Sequence, residues 1–187
     1  RGYEILRCIG ESVMDGPLYR FLAYDNAALS ALPQISLGCR GKIYHAAYGA
    51  FRAGLLKHIG IEEKILLPAV RRLCCGKPVP IASRLQLEHE ALAALLVPTP
   101  TRMIVAALRG IFSGHRAIEE EPGGFYDMCE RLAGPEADTL LARLRTAPEV
   151  VAPPYCDSSK TIGAMHRALA RAGYNLTDYD TNEFDRV

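Results

Sequence analysis

Apolar residues recur at intervals of three, four and seven along most of the chain, and proline and glycine mark the breaks. In DGPLYRFLAYDNAALSAL, Leu18, Phe21, Leu22, Leu29 and Leu32 follow near-helical spacing. Asp15 is placed to cap this first helix and Pro17 suits its first turn, while Pro33 and the glycine-rich SLGCRG interrupt it. A second, longer helix is expected from Lys42 to Leu67 or somewhat beyond, on Tyr44, Tyr48, Phe51, Leu55, Ile59 and Leu66, with Pro68 ending or kinking it. CCGKPVP reads as a loop. The third helix begins near Pro80 and runs through IASRLQLEHEALAALL, and VPTPT separates it from the fourth, RMIVAALRGIFSGHRAIEEE, which ends at PGG. Four such patterns, joined by connections short enough for antiparallel neighbours, predict an all-α, antiparallel up-down four-helix bundle. Beyond Gly134, PEADTLLARLRTA and SSKTIGAMHRALARAG predict additional C-terminal helices, followed by a polar, acidic tail. The expected divisions are an N-terminal segment at 1–16, the bundle at 17–134, and a helical extension with its tail at 135–187.

Charge narrows the function classes. The 187 residues carry 22 basic and 21 acidic groups, a net charge of +1, with no block of like sign, so nothing draws the chain toward nucleic acid. No apolar run reaches the ~18 residues of a membrane span. The opening RGYEILRCIG has no long apolar stretch, so the expectation is a cytoplasmic protein with no secretory signal and no membrane partner. Cys8, Cys39, Cys74, Cys75, Cys129 and Cys156 form no C-x-x-C pair and read as reduced thiols.

The histidines carry the candidate chemistry. In KHIGIEEKILLP, His58 precedes Glu62 by four residues, just ahead of the apolar Ile65, Leu66 and Leu67. His115 precedes Glu119 in the same way on the fourth helix, and His89 lies on the third. Residues i and i+4 share a helix face, so both side chains of a pair can reach one point. Imidazole nitrogen with carboxylate oxygen suits iron, manganese or zinc, and a carboxylate can also bridge two ions. One such pair alone is more often a solvated pair or a capped core histidine. Two pairs with a third histidine at matching depth place five ligands in a bundle core, as dinuclear carboxylate sites require. The acids beyond each pair, Glu63 and Glu120-Glu121, are expected to face water or to support the first.

FLAYDNAALSAL, FRAGLLKHIGIEEKILLPA, RLQLEHEALAALL and IFSGHRAIEEEPGGFYDMCERLAG resemble, in order and spacing, the hemerythrin-like HHE cation-binding domain over roughly residues 17–134. That resemblance implies a four-helix bundle around a non-haem di-iron centre, with His58, His89 and His115 as terminal ligands and Glu62 and Glu119 bridging. It departs from the family pattern at two places. Asn26 stands at a first-helix ligand position that is usually histidine, and Ala93 replaces a second histidine of the oxygen carriers. The chain therefore looks more like the histidine-poorer bacterial members. Their pattern implies a single iron or a di-iron pair, with zinc or another divalent ion in a weakened second position beside Asn26. The implied work is sensing of dioxygen or nitric oxide, iron handling, or redox chemistry on small molecules.

Two rival readings stay open: a degenerate bundle with a partial or absent centre that serves as a protein-interaction module, and a hydrolytic zinc site, for which no substrate cleft is apparent. His45, 13 residues before His58, would lie ~20 Å away along the helix and reads as a surface or end-of-bundle residue, as does His166. Tyr19, Tyr44 and Tyr48 read as core or interface aromatics, and Cys129 as a structural thiol. The C-terminal helices either pack across the bundle or join two copies of the chain as a homodimer.

Overall fold

Two apolar clusters and the polar layer between them organise the computed structural model, which describes residues 16–36 and 42–179. The elements are α1 (Pro17–Ser36), α2 (His45–Ile61), a π turn (Glu62–Leu66), α3 (Leu67–Leu73), α4 (Pro80–Leu95), α5 (Arg102–Glu120), α6 (Phe125–Ala133), α7 (Ala137–Arg145) and α8 (Ser159–Arg171). There is no strand among the described residues. The protein is all-α.

Helices α1, α2, α4 and α5 surround a common core, each in contact with its neighbours around the ring. One cluster holds Leu29, Tyr48, Phe51, Leu55, Leu92, Leu108 and Phe112. The other holds Leu18, Leu22, Leu66, Leu85, Phe125 and Tyr126. Each long helix places a buried polar residue between the two: Asn26 between Leu22 and Leu29, His58 between Leu55 and Ile61, His89 (with Glu88 beside it) between Leu85 and Leu92, and His115 between Phe112 and the half-buried Ile118. A polar side chain on all four helices at one depth is what defines the site.

Two helices outrun their expected ends. α1 passes through Pro33 to Ser36, because a proline in the last turn removes a single backbone bond and its fixed φ is already helical. Pro68 neither stops nor ends the second helix, which continues to Leu73. The π turn explains this. The Leu67 amide bonds to the Glu62 carbonyl, five residues back, and Pro68 follows at the opening of α3, where a missing N–H is tolerated. Asp15, the expected cap of α1, lies outside the described residues. Glu130 of α6 accepts from the Leu18 and Tyr19 amides in the first turn, at 2.8 and 3.0 Å. Gly16 permits that approach, since a Cβ there would sit 2.1 Å from the Glu130 Cδ.

One helix was not expected at all. After Pro122-Gly123-Gly124 the chain turns back into α6, which packs on α1 and α5. Gly124 is the pivot. A Cβ on it would meet the carbonyl oxygens of Ile118, Glu121 and Glu119 at 2.6–2.8 Å. The later helices pack across the four long ones: α7 against α1, and α8 against α4. The proline-rich stretch between α7 and α8 is pinned by buried Arg52. Its Nε donates to the Leu96 carbonyl and its Nη1 to that of Pro153, both at 2.6 Å, and its guanidinium lies 4.3 Å from the Tyr155 ring centroid.

Candidate metal centre

Asn26, His58, Glu62, His115 and Glu119 are fully buried and His89 is 2% exposed, so all six candidate residues sit in the polar layer. One donor atom from each of Glu62, His89, His115 and Glu119 lies within 4.8 Å of the other three. His89 Nε2 is 2.9 Å from Glu62 Oε2, His115 Nε2 is 2.9 Å from Glu119 Oε1, and the two Nε2 atoms are 3.2 Å apart. His58 Nε2 faces Glu62 Oε1 at 3.7 Å on the other side of the layer.

Each imidazole is held the same way round. His58 Nδ1 bonds to Asp25 at 2.8 Å, His89 Nδ1 to Glu63 at 2.6 Å and His115 Nδ1 to Glu88 at 2.9 Å. A carboxylate on Nδ1 fixes the proton there and turns the Nε2 lone pair inward, the outer-partner arrangement found around metal-ligating histidines. The π turn makes one of these possible. Consecutive residues of an α-helix do not face a common point, yet Glu62 and Glu63 bracket the two nitrogens of His89 from successive positions in the widened turn.

The buried oxygens of the layer are short of partners. Both Glu62 oxygens, Glu119 Oε1 and Asn26 Oδ1 are buried with no aligned hydrogen bond; among the described residues only the Tyr48 hydroxyl shares that condition. The 2.9 Å imidazole–carboxylate contacts are close but off the hydrogen-bond axis, as donors aimed at a shared point would be. An unsatisfied buried acceptor costs ~1–3 kcal/mol, more when charged. Two donors ~2.1 Å from one ion, at angles from about 90° to tetrahedral, lie ~3.0–3.4 Å from each other. The three shortest separations, His89 to Glu62, His115 to Glu119 and His89 to His115, lie at or near that spacing, and all four donors fall within 4.8 Å of one another, so these residues fit a transition-metal ion.

Protons balance the charge when no cation does. Burial pushes the His115 imidazole down, but the Glu119 carboxylate and its bond to Glu88 raise it to about 10. Burial opposes His58 likewise, and Glu62 with Asp25 raises it to about 9. His89 is raised as well, by Glu62 and Glu63 against burial. Burial lifts Glu119, but the His115 charge prevails and holds it below the usual carboxylate range.

Three participants escaped the sequence reading. Asp25 and Glu88 are outer carboxylates, and each adjoins a candidate in sequence, a signal that was available; Glu63, expected to face water or to support Glu62, instead bonds to His89. The third is Tyr126, fully buried on α6, whose hydroxyl donates to Glu119 Oε2 at 2.9 Å and lies 3.4 Å from His58 Nε2. Burial, then Glu119, pushes its phenol well above the ordinary value. Asn26 turns its Nδ2, not its oxygen, toward Glu119 Oε2 and the Tyr126 oxygen, both at 2.9 Å.

The remaining residues fall elsewhere. His45 and His166 are exposed. Tyr48 is buried, Tyr44 is half exposed, and the Tyr19 hydroxyl donates to the Glu120 carbonyl at 2.8 Å. Cys74, Cys75, Cys129 and Cys156 are free thiols, Cys129 buried in the core; Cys8 and Cys39 lie outside the described residues. A cavity of about 550 Å³, lined in part by Ile59, Leu87 and Ala93, reaches Glu63 and His89 from the surface. No helix among the described residues is long and apolar enough to cross a membrane. The chain matches no protein-family model, no curated protein and no solved structure.

Proposed function

We propose that this chain is a hemerythrin-like non-haem iron protein. In this reading α1, α2 with α3, α4 and α5 form the antiparallel up-down bundle, and an iron ion is held by Glu62, His89, His115 and Glu119. The observation that carries the reading is the common orientation of three buried imidazoles. Outer carboxylates hold every Nδ1, and every Nε2 faces carboxylate oxygens that have no other aligned partner.

The donor set favours the metal class. Two imidazole nitrogens with two carboxylate oxygens suit iron, manganese or zinc, whereas magnesium and calcium prefer all-oxygen sites. A bundle that had given up its centre for a role in protein interaction would gain by filling this layer with apolar side chains, a change that is often neutral or stabilising by ~1–4 kcal/mol. This chain keeps five charged or chargeable groups there. An iron ion would supply one-electron redox chemistry and open positions for a diatomic gas such as dioxygen or nitric oxide. The protein's own part is to orient the imidazoles, exclude water by the apolar clusters on both sides, and admit small molecules beside His89. Gas sensing, iron handling and small-molecule redox work share these requirements.

Thermal melts of metal-free protein test the reading. A ligand that binds only the folded state at a hundredfold excess over Kd stabilises it by ~2.7 kcal/mol. Ferrous iron, manganese or zinc should raise Tm and magnesium should not. If none of the transition metals moves Tm, the reading is wrong.

A further inference from the structure

The first-helix position that should complete a second metal locus presents an amide nitrogen. Asn26 Nδ2 is committed to Glu119 Oε2 and to the Tyr126 oxygen. Exchanging its amide atoms would set Oδ1 2.9 Å from a carboxylate oxygen, two acceptors in contact, so the donor orientation is fixed chemically. An N–H is no ligand for a cation. Something else must face His58 if the layer is to hold a second ion.

We propose that Tyr126 is that ligand. Resting on the metal reading above, the inference is a second locus formed by His58 Nε2, Glu62 Oε1, Glu119 Oε2 and the Tyr126 phenolate. The separations support it. Tyr126 Oη is 2.9 Å from Glu119 Oε2 and 3.4 Å from His58 Nε2, and His58 Nε2 is 3.7 Å from Glu62 Oε1. These bracket the ~3.0–3.4 Å expected between donors on one ion, and they mirror the 2.9–3.2 Å contacts on the opposite side of Glu62 and Glu119. Glu62 and Glu119 then serve both loci, each through its two oxygens.

Asn26 gains a defined task in this arrangement. Its Nδ2 donates to the tyrosine oxygen, and it would continue to do so to a phenolate, holding the ring in place and stabilising the negative charge. Binding exchanges the phenol proton, released to solvent, for the metal–oxygen bond, so no oxidant is needed for the step. The ligand comes from α6, which Gly124 folds tightly against the end of α5. Tyr126 also packs edge-on against Tyr19, with centroids 6.2 Å apart, which restricts the ring to this direction.

The test loads metal-free protein anaerobically with ferrous iron, oxidises it with air, and records metal content, visible absorption and resonance Raman spectra. We expect two irons per chain, a phenolate-to-iron charge-transfer band and enhanced tyrosinate ring modes. Tyr126→Phe keeps the ring and the fold, and should retain one iron while losing the band and the ring modes. Wild-type iron without tyrosinate modes overturns the assignment of Tyr126, whatever the stoichiometry. So does a Tyr126→Phe protein that still holds two irons. A wild-type chain that takes up no metal overturns the metal reading itself.

Discussion

Truncating Glu88 should weaken metal binding through a residue that never touches the ion. Glu88 is 2% exposed and accepts three bonds: from His115 Nδ1 at 2.9 Å, the Tyr174 hydroxyl at 3.1 Å and Arg84 Nε at 3.2 Å. The Glu88→Ala change leaves the His115 Nδ1 proton buried without an acceptor and frees the ring to rotate. Loss of a hydrogen bond to a charged group costs ~1.5–3 kcal/mol. Loss of an outer partner on a metal-ligating histidine costs ~10–100-fold in affinity, or ~1.4–2.7 kcal/mol. The two figures overlap, so we expect metal affinity to fall by ~10–100-fold. Competition titration against a chelator measures it. Glu88→Gln keeps an acceptor for Nδ1 and should lose less. Arg84→Ala removes a mostly exposed partner and should have almost no effect. If Glu88→Ala binds metal as tightly as wild type, Glu88 does not orient His115 and the outer-carboxylate argument fails.

With metal removed, stability should fall on the alkaline side. His58 and His115 carry folded values near 9 and 10, above the ~6.5 of an unfolded chain, so their contribution is complete below pH ~6.5 and is lost as pH rises through ~9–10. Denaturant titration at successive pH values should show stability declining across that window, and a flat profile would contradict the ion-paired layer. Gly124→Ala should cost ~1–3 kcal/mol, because its methyl group meets three carbonyl oxygens; chemical denaturation would show it. Arg52→Ala should destabilise by ~1.5–3 kcal/mol and expose residues 148–157 to limited proteolysis, since its guanidinium is what ties the Pro153 carbonyl to the fold.

The long helices were legible because their apolar periodicity is strong and their breaks are marked by proline and glycine. Leu18, Leu22, Leu55 and Leu66 all reach the core that their spacing implied. Of the two outcomes expected at Pro68, an end or a kink, the end does not occur, because the π turn changes the hydrogen-bond register just before it. The inner residues were legible as i, i+4 pairs because a helix projects such residues to one side. Tyr126 was not, because α6 is short and begins beyond a Pro-Gly-Gly turn that reads as an end. Its role depends on a tertiary contact between α6 and α5 that no local period encodes. Asn26 could be placed by position, but which of its amide atoms faces inward is decided by Glu119 and Tyr126.

The central claim is that Glu62, His89, His115 and Glu119 hold a transition-metal ion. Elemental analysis of protein purified after expression in iron-replete medium, with His115→Ala prepared in parallel and circular dichroism recorded on both, addresses it most directly. The account predicts stoichiometric transition metal in the wild type and a marked loss in the variant at unchanged helicity. Wild-type protein without metal, or a His115→Ala variant with the full wild-type content, would contradict it.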